Sequence, residues 1–235
     1  KDAGKPINWQ SRYMAIGNYE TIDDIYNAAQ GSFIAASKVI PGDLAYIDFN
    51  ADGVINSNDI VITKNLNYPL TTYALTLGFD WKGLSFSAMF YSPQGVYKNY
   101  INCYLWDFPE GYTMAQPDSK NRWTPATANT SGVRRPAIHL SNNQNNNTTS
   151  TYRFKDYSYI RLKNVEVSYT LPKKWQKAVM LSNCQIYASG NNLLTWWDGD
   201  SRIDPETSNS DGSVNETANI YPILRTYTIG LRFSF

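Results

Sequence analysis

A twelve-residue segment, 48–59, carries the clearest chemistry in the sequence. It reads Asp-Phe-Asn-Ala-Asp-Gly-Val-Ile-Asn-Ser-Asn-Asp and places oxygen-bearing groups at positions 1, 3, 5, 7, 9 and 12. Ca²⁺ takes about six to eight hard oxygen ligands, and this spacing wraps them around one point while the glycine at position 6 permits a sharp turn. The predicted metal ligands are Asp48, Asn50, Asp52, Val54 through its carbonyl, Asn56 and Asp59.

The last position of this segment departs from the EF-hand pattern. An EF-hand has a bidentate glutamate there, whereas this chain has the shorter Asp59, which is the dockerin-like form. The alternative interpretation is a turn rich in Asn and Asp that binds no metal. If Ca²⁺ is bound, we expect it to stiffen a loop rather than to take part in catalysis.

The remaining candidates for catalytic chemistry are weak. His139 is the only histidine, and no sequence motif pairs it with a nucleophilic cysteine or serine, which argues against a hydrolase triad. We interpret it as a plain loop residue. A second group of acids could mimic the carboxylate pair of a glycosidase, but we interpret it as a solvated acidic loop: Asp198, Asp200, Asp204 and Glu206. We therefore predict no catalytic residues and a protein that is not an enzyme.

The composition excludes two further classes of protein. The chain has 235 residues with 21 basic and 20 acidic side chains, so it lacks the positive footprint of a nucleic-acid-binding protein. No apolar run approaches the ~20 residues that a membrane-spanning helix needs. Aromatic residues reach 14%, which suits membrane interfaces, sugar stacking or a β-rich core.

Apolar and polar residues alternate along several segments, as they do in strands with one apolar face. The segment 227–235 places Tyr, Ile, Leu, Phe and Phe on one face; alone, it fits the edge of a soluble sheet or the last strand of a membrane barrel. The other predicted strands are 72–81, 84–90, 159–171, 184–194 and a weaker one within 9–19. Alternation slips by one residue near Lys163 and Asn164, which predicts a β-bulge.

The lengths of the connections favour the barrel. Long connections at about 20–71, 95–156 and 196–222 alternate with short ones at 81–83 and 172–182. Outer-membrane barrels have short periplasmic turns at one rim and long extracellular loops at the other. Trp196 and Trp197 then fit the outer aromatic girdle, with sugar stacking as the alternative.

Several motifs together resemble the C-terminal part of SusC/RagA-type TonB-dependent outer-membrane transporters. The motifs are residues 41–59, Arg122-Trp-Thr-Pro125, Tyr157–Pro172, Ile186–Thr195, Asp204-Pro-Glu206 and the final strand. The resemblance implies an all-β fold, an antiparallel transmembrane β-barrel, of which residues 1–235 would supply about six of 22 strands with long extracellular loops. It implies location in the outer membrane of a Gram-negative bacterium and a longer protein that includes a plug.

The function that the resemblance implies is TonB-dependent uptake of oligosaccharides or peptides. The expected partners are the remainder of the transporter, a SusD-like surface lipoprotein, TonB and outer-membrane lipid. The alternative is a secreted, soluble β-sheet module with a dockerin-like calcium loop. One observation weakens that alternative, because a dockerin has two such loops that each lead into a helix, whereas here Ile60–Thr63 is strand-like. Exposure of the apolar strand faces decides between them.

Overall fold

The computed structural model of the chain describes residues 10–35, 38–63, 66–100, 117–128, 135–139, 143–178, 180–199, 203–207, 213–214 and 223–235. Within these ranges, no helix is both long and apolar enough to cross a membrane.

Strands dominate the described secondary structure. In chain order they are β1 (Gln10–Arg12), β2 (Ala15–Asn18), β3 (Gln30–Gly31), β4 (Leu44–Tyr46), β5 (Val54–Ile55), β6 (Val61–Thr63), β7 (Thr71–Trp81), β8 (Leu84–Gln94), β9 (Tyr97–Tyr100), β10 (Phe154–Asp156), β11 (Ile160–Thr170), β12 (Asn183–Trp196), β13 (Ser213–Val214) and β14 (Thr226–Ser234). The helices are α1 (Ile22–Asn27) and α2 (Lys173–Ala178), with short 3₁₀ helices at Ser57–Asp59, Pro117–Asn121 and Thr151–Arg153.

The chain forms two compact units. The first, which we call the loop unit, contains Lys1–Asn67, Lys98–Lys155 and Ser208–Asn219. The second, the sheet unit, contains Tyr68–Tyr97, Asp156–Thr207 and Ile220–Phe235. Two of the three long connections predicted from the sequence thus fold largely into a unit of their own.

The sheet unit is built on one antiparallel sheet with the strand order β14-β12-β11-β8-β7. These five strands match the five clear predictions from alternation. The prediction of a sixth strand within residues 9–19 is wrong. That segment splits into β1 and β2, which pair with β6 and β4, so β7 rather than the segment around Tyr13 is the edge of the sheet.

One face of this sheet is apolar across all five strands. In the order β7, β8, β11, β12, β14, two complete rows are Phe79, Phe86, Val167, Ala188, Ile229 and Trp81, Leu84, Tyr169, Ile186, Leu231. The residues that a barrel wall is expected to turn toward lipid are all exposed, from 50% for Leu77 to 83% for Ile229: Tyr73, Leu75, Leu77, Phe79, Ile229, Leu231 and Phe233. No second layer covers them in the part of the chain that the structure describes, which confirms the predicted exposure.

The other face is polar. Its rows include Gly78, Ser87, Glu166, Ser189, Thr228 and Asp80, Ser85, Ser168, Tyr187, Gly230. The apolar positions of β7 run from Tyr73 to Trp81, about 27 Å along the strand and about 21 Å of height at a ~40° tilt. This height is close to the ~25 Å apolar band of an outer-membrane barrel.

Two short connections meet at one end of the sheet. Lys82 and Gly83 join β7 to β8 with φ of 47° and 88°, as in the type I′ turn of a two-residue hairpin. The connection between β11 and β12 contains α2, a helix that the sequence analysis did not predict. The β8–β11 and β12–β14 connections leave from the opposite end of the same strands.

The predicted β-bulge is present. The pairing of β11 shifts between Leu162 and Asn164 against both of its neighbours, β8 and β12. Against β8, Lys163 is the extra residue, because Leu162 and Asn164 pair with the consecutive residues Phe90 and Met89. Against β12, Lys163 lies opposite two residues, Asn192 and Leu193. The bulge lets Leu162 and Val165 both lie on the apolar face, because the skipped residue restores the alternation.

The loop unit contains short elements rather than one large sheet. Its pairings are β1 with β6, β2 with β4, β3 with β5, and a three-stranded sheet in the order β10-β9-β13. Helix α1 begins with a capping box formed by Thr21 and Asp24. Two small apolar clusters lie around Tyr19 with Ile25 and around Leu44 with Ile55.

Candidate functional site

A cluster of charges lies on the polar side of β11 and holds the segment 203–207. The Arg161 guanidinium donates to Asp204 at 2.7 Å and to Glu206 at 2.6 Å, and only 1% of its side chain is exposed. Its Nε also donates to Thr195 Oγ1 on β12 at 3.0 Å. Arginine suits this position because its planar fork reaches two carboxylates at once. The cluster therefore ties a loop after β12 to the wall of the sheet.

Lys163, at the bulge, is the second cation of this cluster. Lys163 Nζ lies 2.7 Å from Glu206 Oε1, so Glu206 is shared between Arg161 and Lys163. In a regular strand, residues 161 and 163 lie on the same face, and residue 164 would turn away. Here Asn164 also lies on the polar face, where its amide donates to Asn191 Oδ1 at 2.9 Å. The bulge thus concentrates three polar side chains on one side.

A second polar group lies nearer the short connections. Arg232 Nη1 is 3.2 Å from Glu166 Oε1, and the Arg232 guanidinium stacks over the Tyr187 ring at 4.2 Å. The Tyr187 ring lies over Gly230, where a Cβ atom would come within 2.6 Å of it. This group is half exposed, so it offers a polar surface rather than a closed pocket.

The predicted calcium loop folds back on itself through its own side chains. Asp48 accepts hydrogen bonds from the backbone N–H groups of Asp52 and Gly53, at 3.3 and 2.7 Å. Gly53 has φ of 84°, as the sharp turn requires. The Asn50 amide lies 2.8 Å from Asp52 Oδ2, and the Asn56 amide lies 3.2 Å from the Val54 carbonyl. Hydrogen bonds within the segment therefore link five of the six predicted ligands to one another.

Asp59, the sixth predicted ligand, is fully buried. It accepts N–H groups from Asn56 at 2.8 Å and from Phe49 at 2.8 Å. These hydrogen bonds, that from Asn56 above all, hold the pKa of Asp59 below its usual value. A lowered folded-state pKa means that this carboxylate stabilises the loop above its unfolded-state pKa, and that the stabilisation is lost as the pH falls through the folded-state pKa.

The donor set of the loop fits a hard cation only in part. Within the described residues, no three His, Cys, Asp or Glu side chains form a group that could hold a metal ion. Asp48, Asp52 and Asp59 therefore do not converge as three carboxylates. The oxygens of Asn50, Asn56 and the Val54 carbonyl lie outside that criterion and are of the type that Ca²⁺ prefers.

A network of buried amides in the loop unit surrounds Asp43. This carboxylate is fully buried and accepts hydrogen bonds from Asn143 at 3.0 Å and from Asn146 at 2.8 Å. Asn146 also accepts the Leu44 N–H at 2.9 Å, and Asn145 donates to the Leu44 carbonyl at 2.8 Å. The network fastens 143–146 to strand β4, about a hundred residues away in the chain.

His139 belongs to this network, which corrects its interpretation as a plain loop residue. Its Nε2 lies 2.6 Å from Asp43 Oδ1. The interpretation of Asp204 and Glu206 as a solvated acidic loop is also wrong, because Arg161 and Lys163 neutralise them. That pairing equally removes them from the role of a glycosidase pair. Asp198 is exposed, and Asp200 lies outside the described residues.

The two predicted girdle tryptophans have different surroundings. Trp196 is 49% exposed and pairs with Ile160 on the apolar face, as expected of the outer aromatic girdle. Trp197 packs against the buried Tyr157 with ring centroids 5.1 Å apart. Trp197 therefore contributes to packing within the sheet unit.

Sequence comparisons connect this geometry to known proteins. No family model matches the chain. The TonB-dependent receptor P3 of Formosa agariphila is 29% identical over 216 residues, which cover 89% of this chain and 20% of that protein. The TonB-dependent receptor P26 of the same species is 32% identical over 208 residues, 83% of this chain and 20% of that protein.

The chain is related to the TonB-dependent receptors. It spans about a fifth of the length of the curated relatives that it matches. The resemblance to this family that the sequence motifs indicate is thereby confirmed. Both relatives are named as receptors, which agrees with the predicted outer-membrane location and with the prediction that the chain is not an enzyme.

Solved structures confirm the fold. The RagAB peptide importer in its open-open state matches 99% of this chain and 23% of its own chain, with a TM-score of 0.68 and 21% identity. The RagAB peptide transporter matches 97% of this chain and 22% of its own, with a TM-score of 0.67 and 21% identity. These matches confirm the predicted all-β barrel fold class.

We predict that Glu206→Gln destabilises the intact receptor by about 3 kcal/mol, because Arg161 loses a charged partner in a buried position. The measurement is the midpoint of thermal unfolding in detergent. The matched control is Glu166→Gln, whose pair with Arg232 is half exposed and contributes less than about 1 kcal/mol. Equal shifts for the two variants would show that burial of Arg161 does not matter.

We also predict that Asn146→Asp unfolds the amide network of the loop unit. The change is isosteric but places a second carboxylate against Asp43, 2.8 Å away and out of contact with water. Limited proteolysis of the intact receptor should then cut within residues 135–150. The control is Gln144→Glu, which adds the same charge at an exposed position two residues earlier; protection in both variants contradicts the prediction.

Proposed function

We propose that this chain forms part of the barrel wall of an outer-membrane importer that takes up oligosaccharides or peptides. Energy for import would come from TonB, and a SusD-like surface lipoprotein would cooperate in substrate capture. The curated relatives are named TonB-dependent receptors, and the similar solved structures are titled as a peptide importer. Both support import across the outer membrane as the general activity.

One structural observation carries the proposal. The five strands keep an exposed apolar face and an opposite polar face across the whole sheet. Such a wall separates lipid from water, which a transporter requires and a soluble module does not. The alternative of a secreted module with a dockerin-like loop requires a covered apolar face, and it also requires a helix where β6 follows the loop.

The roles of the two polar clusters follow from this placement. Arg161 and Lys163 hold segment 203–207 against the polar side of the wall, where a passing substrate would meet it. The group around Arg232 and Glu166 faces the same side, closer to the short connections. Loops fixed against the polar side of the barrel wall would define the width of the passage through the barrel. The group around Arg232 and Glu166 is more exposed, so it would remain free to contact substrate or the plug.

The test is uptake by cells whose gene for the intact protein is deleted and then complemented. We expect growth on one glycan or peptide of a panel to be lost on deletion and on loss of TonB, and to return with the wild-type gene. Ser189→Trp, on the polar face, should slow uptake, because the ring narrows the passage. Ile229→Trp, on the apolar face, should not. TonB-independent growth would contradict the proposal.

We further propose that residues 48–59 bind Ca²⁺ and thereby stiffen the loop unit. The oxygen-bearing side chains hydrogen-bonded around Asp52 and the turn at Gly53 support this assignment. The ligands would be Asp48, Asn50, Asp52, Asn56 and Asp59 with the Val54 carbonyl. Asp59 remains able to bind a metal while it accepts N–H groups, since each carboxylate oxygen has two lone pairs.

Calorimetric titration of the intact protein with Ca²⁺ tests this second proposal. We expect a dissociation constant of about 10⁻⁴–10⁻³ M, as in extracellular calcium modules. Asp52→Asn should weaken binding, whereas Asp23→Asn in the first turn of α1, with the same loss of charge, should not. Absence of a calcium-dependent signal in the wild-type protein refutes the site.

A further inference from the structure

The short connections of the sheet unit carry an unusual concentration of lysine and exposed apolar side chains. Helix α2 contains Lys173, Lys174 and Lys177, and the β7–β8 turn contains Lys82. Within residues 80–85 and 170–183 the sequence has a single acid, Asp80. Trp175 is 60% exposed, and Met180 is 87% exposed. We call these two segments the short-turn rim.

Hydrogen bonds place both segments of the short-turn rim side by side. The Thr170 N–H donates to the Gly83 carbonyl at 2.7 Å, directly where β11 ends and α2 is about to begin. The buried Gln176 side chain donates to the Leu171 carbonyl at 2.7 Å and so fastens α2 to the end of the strand. Every other described position of α2 is exposed. The lysines therefore belong to one surface of fixed position.

This surface adjoins the end of the apolar face of the sheet. The last complete apolar row before the rim contains Trp81 and Tyr169, both exposed, and Phe233 lies beyond it on β14. Aromatic residues at this level mark the girdle at which the apolar band meets the headgroups. The Lys82 ammonium lies 5.0 Å from the Trp81 ring, so the first cation of the rim is adjacent to the girdle.

We propose that the short-turn rim binds anionic phospholipids in the membrane leaflet that it faces. The ammonium groups of Lys173, Lys174 and Lys177 bind headgroup phosphates, and Trp175 lies in the interface among the upper acyl chains. Charge complementarity and continuity with the apolar band select a lipid surface over a soluble polyanion, because a soluble partner needs no exposed tryptophan and methionine beside the cations. The proposal depends on the membrane location and not on the imported substrate.

The experiment uses the intact protein in bilayers of phosphatidylcholine with a minority of phosphatidylglycerol. One lipid or the other carries bromine in its upper acyl chains, and Trp175 emission is obtained as the difference between wild type and Trp175→Phe. We expect stronger quenching when phosphatidylglycerol carries the bromine. The preference should fall by about fivefold for each lysine changed among Lys173→Gln, Lys174→Gln and Lys177→Gln, and it should weaken with added salt in the wild-type protein.

The control changes Lys38, Lys120 and Lys155 to Gln, which removes the same charge from exposed positions of the loop unit. The control protein should keep the wild-type preference for quenching by brominated phosphatidylglycerol. Trp175 emission that neither brominated lipid quenches overturns the proposal, because the helix then lies away from the membrane. Quenching without a preference for brominated phosphatidylglycerol overturns the role of the lysines. So does a control variant that loses as much of this preference as the α2 lysine variants do. The salt series needs no variant, so it tests the contribution of charge independently of any effect on folding.

Discussion

Hydrocarbon offers no hydrogen-bond partner, and the architecture of the sheet unit follows from this constraint. A backbone group that faces lipid without a partner costs several kcal/mol, so strands in a membrane must pair along their whole length. The three inner strands, β8, β11 and β12, are paired on both sides. Among the described strands, β7 and β14 are the edges, and in hydrocarbon each edge requires a further strand beside it. This requirement agrees with the larger size of the curated relatives.

The same constraint explains why the bulge is placed where the polar cluster begins. A bulge leaves one residue out of the ladder, which is tolerable only where water or a polar side chain is near. Lys163 is that residue, and its ammonium reaches Glu206 on the watery side of the wall. The bulge thereby combines an uninterrupted apolar face with a dense polar one. In a regular strand Arg161 and Lys163 would still share this face, but Asn164 would turn away from it.

Alternation of residue types made the strands of the sheet unit predictable from the sequence. The structure of the loop unit was not predictable in this way. The five long strands and the bulge at Lys163 follow from a period of two over many residues, a local signal. The failed strand within residues 9–19 and the missed helix α2 are short, so their structure depends on contacts with distant segments. No local sequence pattern predicts the hydrogen bond from Asn146 to Asp43, which are 103 positions apart. The calcium-type spacing did locate a real turn at Gly53, although carboxylate convergence did not follow from it.

The motifs that carried the family resemblance explain part of what local patterns missed. Asp43 lies in the 41–59 motif, and Gly42 beside it packs against Trp123 of the Arg122–Pro125 motif, so closely that a Cβ atom would lie 2.4 Å from the ring. Arg161, Thr195, Asp204 and Glu206 come from three further motifs and form one cluster. Motif residues that are distant in sequence therefore signal contact in the fold, even where no chemistry of catalysis or binding connects them.

Exposed apolar residues of the sheet unit and buried charged residues of the loop unit respond differently to substitution. In the sheet unit Ile229 is 83% exposed, because its surroundings are lipid; in the loop unit the charged Asp43 is 0% exposed. Packing against fluid hydrocarbon imposes no fixed shape, so one apolar residue replaces another on the lipid face at little cost. A buried carboxylate held by several donors depends on each of them, since every lost partner leaves charge without compensation. Apolar identity is therefore loosely specified in the wall, while single amides are strictly specified in the loops.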